Sequence, residues 1–214
     1  MPIDFYYMQA SAPCRAALLT AKALGVELNL KPTDLMQGEH LKPEFISINP
    51  QHTIPTIVDD GFNLWESRAV IAYLANKYGK DDKLYPKDAQ KRGKVDQMLY
   101  FDMGTIYKCF GEYIYPQIFK NEAADPEKLK ALKVALGHFD TALQKTKYAA
   151  GDELTIADMT LAASVSTAEA CDIDIAEFSR VKEWLEEMKK LPYYNEANQT
   201  GADMFRQWFL SSKK

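Results

Sequence analysis

The apolar positions of the first eighty residues change period in a fixed order. Ile3, Phe5 and Tyr7 alternate with Asp4 and Tyr6, the two-residue period of a half-buried strand. Cys14, Ala17, Leu18, Ala21 and Leu24 then recur at helical spacing until Gly25, which suits a C-terminal cap. Pro13 falls where a first-turn proline is tolerated, because its missing N–H would have no intrahelical partner there. Val26, Leu28 and Leu30 alternate with Glu27, Asn29 and Lys31, which predicts a second strand ended by Pro32. Residues 33–49 are irregular and polar, with a short helix expected over 42–47. Pro55 then precedes the β-branched run Thr56-Ile57-Val58. Asp59-Asp60-Gly61 is a hairpin turn signal, and residues 62–65 pair back antiparallel. Glu66-Ser67-Arg68 opens a helix with Val70, Ile71, Leu74 and Tyr78 on one side and Gly79 as its stop.

Beyond residue 80 the pattern changes. Residues 81–88 are charged and carry Pro86, which reads as a linker. From 89 to 119 the spacing is helical throughout, with Met103, Tyr107, Phe110 and Ile114 near one face. Asp125-Pro126 starts another helix carrying Leu129, Leu132, Leu136, Phe139 and Leu143. Thr155 followed by Asp158 resembles a capping box with aspartate in the usual glutamate place, and Leu154 and Met159 are spaced as a hydrophobic staple. A last helix is expected over 178–191, stopped by Pro192, with Phe205, Trp208 and Phe209 in the C-terminal segment. The chain therefore divides into a mixed α/β part, residues 1–80, and an all-α part, residues 89–214.

Composition narrows the classes. A chain of 214 residues, 47% apolar and 26% charged, reads as an ordinary globular protein of one large or two modest domains. No apolar run nears the ~18 residues of a membrane span and no leader pattern is visible, so the expectation is a cytoplasmic protein with no membrane partner. The 30 acidic and 26 basic residues are interspersed, which argues against a dedicated nucleic-acid binder. Cys14, Cys109 and Cys171 are odd in number and far apart, each inside a helix-like pattern. They are expected to be reduced, mostly buried thiols, with no disulfide framework and no metal cluster.

The candidate chemistry lies in residues 8–15. Ser11 sits in a loop that opens a helix, where unpaired N–H groups and the helix dipole favour negative charge, a thiolate included. The spacing Ser11-Ala12-Pro13-Cys14 resembles the C-x-x-C motif of thioredoxin-like redox proteins, with serine in place of the attacking first cysteine. If the site handles a thiol, the sulfur must arrive on a ligand. A thiol of pKa about 8.5 is only a few per cent thiolate at neutral pH. One hydrogen bond to the anion, worth roughly 1.5–3 kcal/mol, lowers that pKa by about one to two units. The plainer reading is that Ser11 caps the helix.

The order strand, helix, strand, short helix, hairpin, helix is that of the thioredoxin-like fold. Ser11-Ala12-Pro13-Cys14-Arg15, Asn49-Pro50-Gln51-His52-Thr53-Ile54-Pro55 and Glu66-Ser67-Arg68-Ala69-Val70 together resemble the cytosolic glutathione transferases, and within them the insect delta class, whose catalytic residue is serine. The resemblance covers essentially the whole chain. It departs at Gln9-Ala10, where many delta-class members have Pro-Gly.

The resemblance implies an α/β thioredoxin-like N-terminal domain that binds glutathione and an all-α C-terminal domain with a hydrophobic substrate site. It implies conjugation of glutathione, as co-substrate, to hydrophobic electrophiles in detoxification. Ser11 would stabilise the thiolate. Ser67 and the helix start behind it would hold the γ-glutamyl carboxylate, Glu66 would take the amine with Arg68 close by, and His52 and His40 would meet the glycine carboxylate. Ile54, ahead of a cis Pro55, would offer its backbone to the cysteinyl moiety, flanked by Gln51 and Thr53. The base rate alone does not assign that cis bond. Candidates for the electrophile site are Met103, Tyr107, Phe110, Tyr113, Phe119 and Phe205, with Tyr107 and Phe205 foremost. An aromatic stripe at helical spacing is otherwise core. The family is usually homodimeric, with Arg68, Ala69 and the helix face near Tyr100 and Asp102 as contacts.

The residues also admit rival readings. Tyr6 or Tyr7 would replace Ser11 if the protein followed the classes that use a first-strand tyrosine. Cys14 resembles the nucleophile of the cysteine-using classes but falls at an apolar helix position. Glutathione-dependent peroxidase, isomerase or dehydrochlorinase chemistry would use the same site. A non-catalytic, ligand-binding relative would keep the fold without turnover, since fold does not fix function.

Overall fold

The computed structural model describes residues 2–213. Its four strands are β1 (Ile3–Tyr7), β2 (Leu28–Pro32), β3 (Thr56–Asp59) and β4 (Phe62–Trp65), in the sheet order β2-β1-β3-β4. β1 runs parallel to β2, with Ile3 opposite Leu28, and antiparallel to β3, with Phe5 opposite Ile57. Phe5 and Ile57 lie on the inner strands and are completely buried. Pro32 ends an edge strand, where a missing N–H removes no ladder bond. Asp60 and Gly61, at φ of 51° and 79°, form the tight turn between β3 and β4 that two-residue hairpins require.

The parallel pair β1 and β2 is joined by α1 (Ala12–Leu24), which ends on Gly25 at φ 69°. A short helix α2 (Pro43–Ile46) leads into the loop before β3, and α3 (Ser67–Tyr78) follows β4. The arrangement is a thioredoxin-like domain. Asp59, at the end of β3, accepts hydrogen bonds from Tyr73 (2.6 Å), Tyr78 (2.6 Å) and Lys77 (2.8 Å), and so ties α3 to the sheet.

The rest is helical: α4 (Ala89–Phe101), α5 (Tyr107–Phe119), α6 (Pro126–Leu143), α7 (Ile156–Ala170), α8 (Ser179–Lys189) and α9 (Thr200–Ser212). The described residues contain no helix long and apolar enough to cross a membrane. Residues 156–168 of α7 are all buried, which makes it the central post of this domain. Its polar side chains therefore need partners inside the protein. Ala163 of α7 meets Ala12 and Ala16 of α1, small residues that let the two helices, and so the two domains, approach closely.

Two features differ from the sequence expectation. The helical run 89–119 is interrupted by a π turn, Asp102–Ile106, which separates α4 from α5. Asp102 is buried and held by Arg68 and Thr160, and the wider turn accommodates those bonds. The helix expected over 178–191 is also not the last: after Pro192 a second π turn, Asn195–Gln199, leads into α9.

The capping box at α7 is present. Asp158 Oδ2 accepts the Thr155 N–H at 2.9 Å, and Asp158 Oδ1 accepts the Ala149 N–H at 2.8 Å and Trp184 Nε1 at 3.0 Å. Burial raises the Asp158 pKa, opposed by these same bonds.

Candidate active site

The turn between β1 and α1 closes with the Ser11 N–H donating to the Met8 carbonyl at 3.0 Å. Ser11 is the N-cap of α1 in extended conformation, yet its hydroxyl makes no cap bond to the helix, and no acidic residue occupies the first turn. The side chain is half-buried in a cleft of about 330 Å³ that lies between the two domains. A larger hollow of about 610 Å³ lies on the other side of the same loop, lined by Tyr7, Gln9 and the edge strand β2, away from Ser11.

The polar side of the Ser11 cleft comes from residues 40 and 52–54. His40, His52, Thr53 and Ile54 line it, with Leu35 beside them. The imidazole rings of His40 and His52 are 5.9 Å apart, and His40 Nδ1 is buried without a partner among the described residues. Asn49 shapes this loop: its buried amide donates to the Thr53 carbonyl and to Thr56 Oγ1, both at 2.9 Å, and its Oδ1 accepts the Gln51 N–H at 2.9 Å. The Ile54–Pro55 peptide is cis, and Pro55 is buried. Gln51 is exposed and accepts a bond from Trp65 Nε1 at 2.8 Å.

The β3–β4 register puts Thr56 opposite Trp65, so Pro55 is followed across the hairpin by Glu66 and Ser67 at the start of α3. Glu66 is exposed at φ 66°, a sparsely populated conformation for a residue with a Cβ. Ser67 is buried, and its Oγ accepts from Arg68 Nη1 at 2.9 Å, which leaves its hydroxyl hydrogen free to donate. Arg68 Nη2 pairs with Asp102, and the guanidinium lies 5.5 Å from the centre of the Tyr107 ring.

The opposite wall is apolar. Tyr107, Tyr115 and Phe119 of α5 and Phe205 and Trp208 of α9 line it. The hydroxyls of Tyr107 and Tyr115 satisfy each other at 2.7 Å. Burial, and then the neighbouring Tyr115, push the Tyr107 pKa well up. Trp208 packs edge-on to Phe119 at 5.2 Å and to Phe205 at 5.7 Å, closing the outer end.

Of the six candidates for an apolar subsite, the cleft collects Tyr107, Phe119 and Phe205. Phe110 is completely buried in the core, packed behind Phe205, and is not on the cleft wall. Met103 lies exposed on the first π turn, and Tyr113 lies elsewhere on α5. The cleft face of α5 carries Tyr107, Tyr115 and Phe119, spaced by multiples of four residues. A side chain at Gly111 would press on the Tyr115 ring at 3.2 Å. That four-residue period, and the spacing of Phe205 to Trp208, are the sequence signals that identify Tyr115 and Trp208.

The rivals of Ser11 face elsewhere. Tyr6 packs edge-on against Phe45, and Tyr7 stacks on Phe5 and lines the larger hollow. Burial raises both phenols. Cys14 is fully buried, and burial pushes its thiol up to about 11, against the lowering effect of the Ser11 side chain.

The arrangement is a helix start whose serine hydroxyl makes no cap bond, two imidazoles and a facing apolar wall, with a second helix start and its buried serine following β4. It suits an anionic, thiol-bearing peptide on one side and an apolar reactant on the other. Residues 1–76 match the family model described as glutathione S-transferase, N-terminal domain, and residues 102–192 match the one described as its C-terminal domain. Among solved structures, a delta-class glutathione transferase of Nilaparvata lugens is 52% identical at a TM-score of 0.97, over 99% of this chain and 100% of that one. A Bombyx mori glutathione transferase is 42% identical at a TM-score of 0.94, over 97% of this chain and 98% of that one. A glutathione transferase homologue from Drosophila mojavensis with bound glutathione is 35% identical at a TM-score of 0.92, over 99% of this chain and 97% of that one.

Proposed function

Since the chain belongs to the glutathione S-transferase family, as a delta-class member, we propose that the Ser11 hydroxyl donates the hydrogen bond that keeps the glutathione sulfur anionic. The enzyme joins the glutathione thiol to hydrophobic electrophiles. A serine cannot take the thiol proton at neutral pH, so Ser11 acts as a donor to the thiolate and not as a base. The thiolate sulfur then forms a bond to the electrophilic carbon, and the electron pair leaves with the departing group or is captured by a proton. The observation that carries this reading is the Ser11 hydroxyl itself. It stands at a helix N-terminus and is not used as a cap.

The other groups follow from the shape of glutathione. Ser67 and the start of α3 take the γ-glutamyl carboxylate, with Arg68 fixing the Ser67 hydroxyl, and the exposed Glu66 takes the amine. Ile54 pairs its backbone with the cysteinyl moiety between Gln51 and Thr53, beside Pro55. His52 and His40 meet the glycine carboxylate, and the unpartnered His40 Nδ1 supports that placement. Tyr107, Tyr115, Phe119, Phe205 and Trp208 form the bed for the electrophile.

A homodimer and a cytoplasmic location go with this reading. Support for the first is the exposure of two large apolar side chains, Tyr100 at 67% and Met103 at 43%. Asp102 is completely buried under Arg68 and offers no surface to a partner. Support for the second is that all three cysteines are unpaired thiols.

The deciding measurement is the pH dependence of conjugation in Ser11→Ala. The apparent thiol pKa is expected to rise by about one to two units with glutathione binding retained. An unaltered rate and thiol pKa would remove the assignment.

A further inference from the structure

Arg15 is completely buried one turn into α1, although a guanidinium out of water is costly unless an anion compensates it. Its hydrogen-bond partners are all neutral. Nη1 donates to Asn198 Oδ1 and, at 3.4 Å, to Ser166 Oγ and the Asn198 carbonyl, while Nη2 donates to Thr167 Oγ1. Nε has no acceptor among the described residues. Asn198 reaches this place from the second π turn, and its amide is itself fixed by Ser166 Oγ at 2.9 Å. The titratable groups facing Arg15 among the described residues are Cys14 on its own helix, Tyr107 and Tyr115 from α5, Tyr194 before the second π turn, and Cys171 at the end of α7. None is a carboxylate. Burial brings the Arg15 pKa down to about 10, against the opposing pull of the facing tyrosines and Cys14, so the group is still a cation at neutral pH.

A buried cation with only neutral partners has its charge uncompensated by its neighbours. The Arg15 N–H donates to the Ser11 carbonyl at 3.0 Å, so the two residues share one helical turn. Tyr107 and Tyr115, which its charge reaches, are the wall of the Ser11 cleft, and no acidic residue among those described lines that cleft.

We infer that Arg15 is a positioning residue for the transfer reaction: its unpaired charge, held in place by Asn198, Ser166 and Thr167, favours the thiolate form of glutathione at Ser11. The inference rests on the reading of Ser11 as the thiolate site.

Asn198→Asp tests it without a cavity, because aspartate keeps the shape and the acceptor but sets a compensating carboxylate against the guanidinium. The pKa of the enzyme-bound glutathione thiol, read from thiolate absorbance against pH, is expected to rise by about one unit. The kcat/KM for the electrophile is then expected to fall by up to about tenfold below that pKa and to rejoin the parent enzyme at high pH, with Tm unchanged or higher. Arg15→Lys keeps the charge and loses the fork, so it is expected to lower Tm and leave the thiol pKa in place. A folded Asn198→Asp with the parent thiol pKa overturns the inference and leaves Arg15 as a tie between domains. Ser11→Ala is measured alongside. If it shifts the thiol pKa and Asn198→Asp does not, only the Arg15 inference falls, and if neither shifts it, the Ser11 reading falls as well.

Discussion

Arg68 of the N-terminal domain and Asp102 of the C-terminal domain form an ion pair whose acidic member is completely buried. The same carboxylate accepts Thr160 Oγ1 of α7 at 2.8 Å, and the same guanidinium donates to Ser67 Oγ. Ser67, at the start of α3, is thereby tied to the central post of the helical domain. Removing one member of a buried pair strands the other. Asp102→Ala is therefore expected to cost about 3–5 kcal/mol in denaturant unfolding and to raise the KM for glutathione, because Arg68 no longer fixes the Ser67 hydroxyl. Thr160→Val, which removes one hydroxyl, is expected to cost about 1 kcal/mol.

Asp59 gives stability a distinct acid limb. Burial alone would raise its pKa, but bonds from Lys77, Tyr73 and Tyr78 outweigh burial and hold it at about 2, below the ordinary 3.8. A carboxyl whose folded pKa is depressed adds stability that is fully present above the unfolded pKa and is lost as pH falls through the folded one. The Tm difference between the parent protein and Asp59→Asn is expected to be largest above about pH 5 and to close between about pH 4 and pH 2. Melting curves across that range check it.

The cap of α7 separates stability from chemistry. Thr155→Ala is expected to cost about 1 kcal/mol, the usual worth of an N-cap. Asp158→Ala is expected to cost more, about 3 kcal/mol, because it leaves the N–H groups of Ala149, Thr155 and Trp184 buried without their acceptor. Turnover per folded molecule is expected to be unchanged in Thr155→Ala, and unchanged melting with lost turnover would contradict this role.

The parts of the molecule legible in sequence are those set by near neighbours. The strand period of residues 3–7, the Gly25 cap, the Asp60-Gly61 turn and the Thr155/Asp158 box each depend on residues within a few positions of one another. The two π turns do not. Asp102 is drawn to Arg68, 34 residues before it in the chain, and Asn198 to Arg15, 183 residues before it. A stripe followed straight from Met103 through Phe110 to Phe119 mixes core with cleft and passes over Tyr115, because Phe110 packs into the core while Tyr107, Tyr115 and Phe119 line the cleft. The start of α9 carries no cap signal, since that helix grows out of the second π turn. Ser11 and the residues around His52 and Ser67 are legible through their motifs. Arg15 belongs to one of these motifs, but its burial depends on partners in the other domain.

Gly201 shows how closely the C-terminal helix approaches the loop between β1 and α1. It lies in the first turn of α9, and a Cβ there would fall inside the contact radius of the Gln9 carbonyl oxygen and of Arg15 Cδ. The Gln9 carbonyl is backbone and cannot swing aside, so the loop from Met8 to Ser11 would have to move. In an open helical site a glycine-to-alanine change gains roughly 0.5–1 kcal/mol. Gly93 of α4 is such a site, with nothing near its would-be Cβ, and Gly93→Ala is expected to raise stability by that amount. Gly201→Ala is expected to do the reverse, costing about 1–3 kcal/mol through overpacking. It is also expected to lower kcat/KM by about tenfold, since small misplacements of a catalytic group are costly. Thermal unfolding of the two variants side by side, with glutathione conjugation measured on each, tests whether the α9 contact sets the position of Ser11. Equal stabilisation by both alanines would mean that it does not.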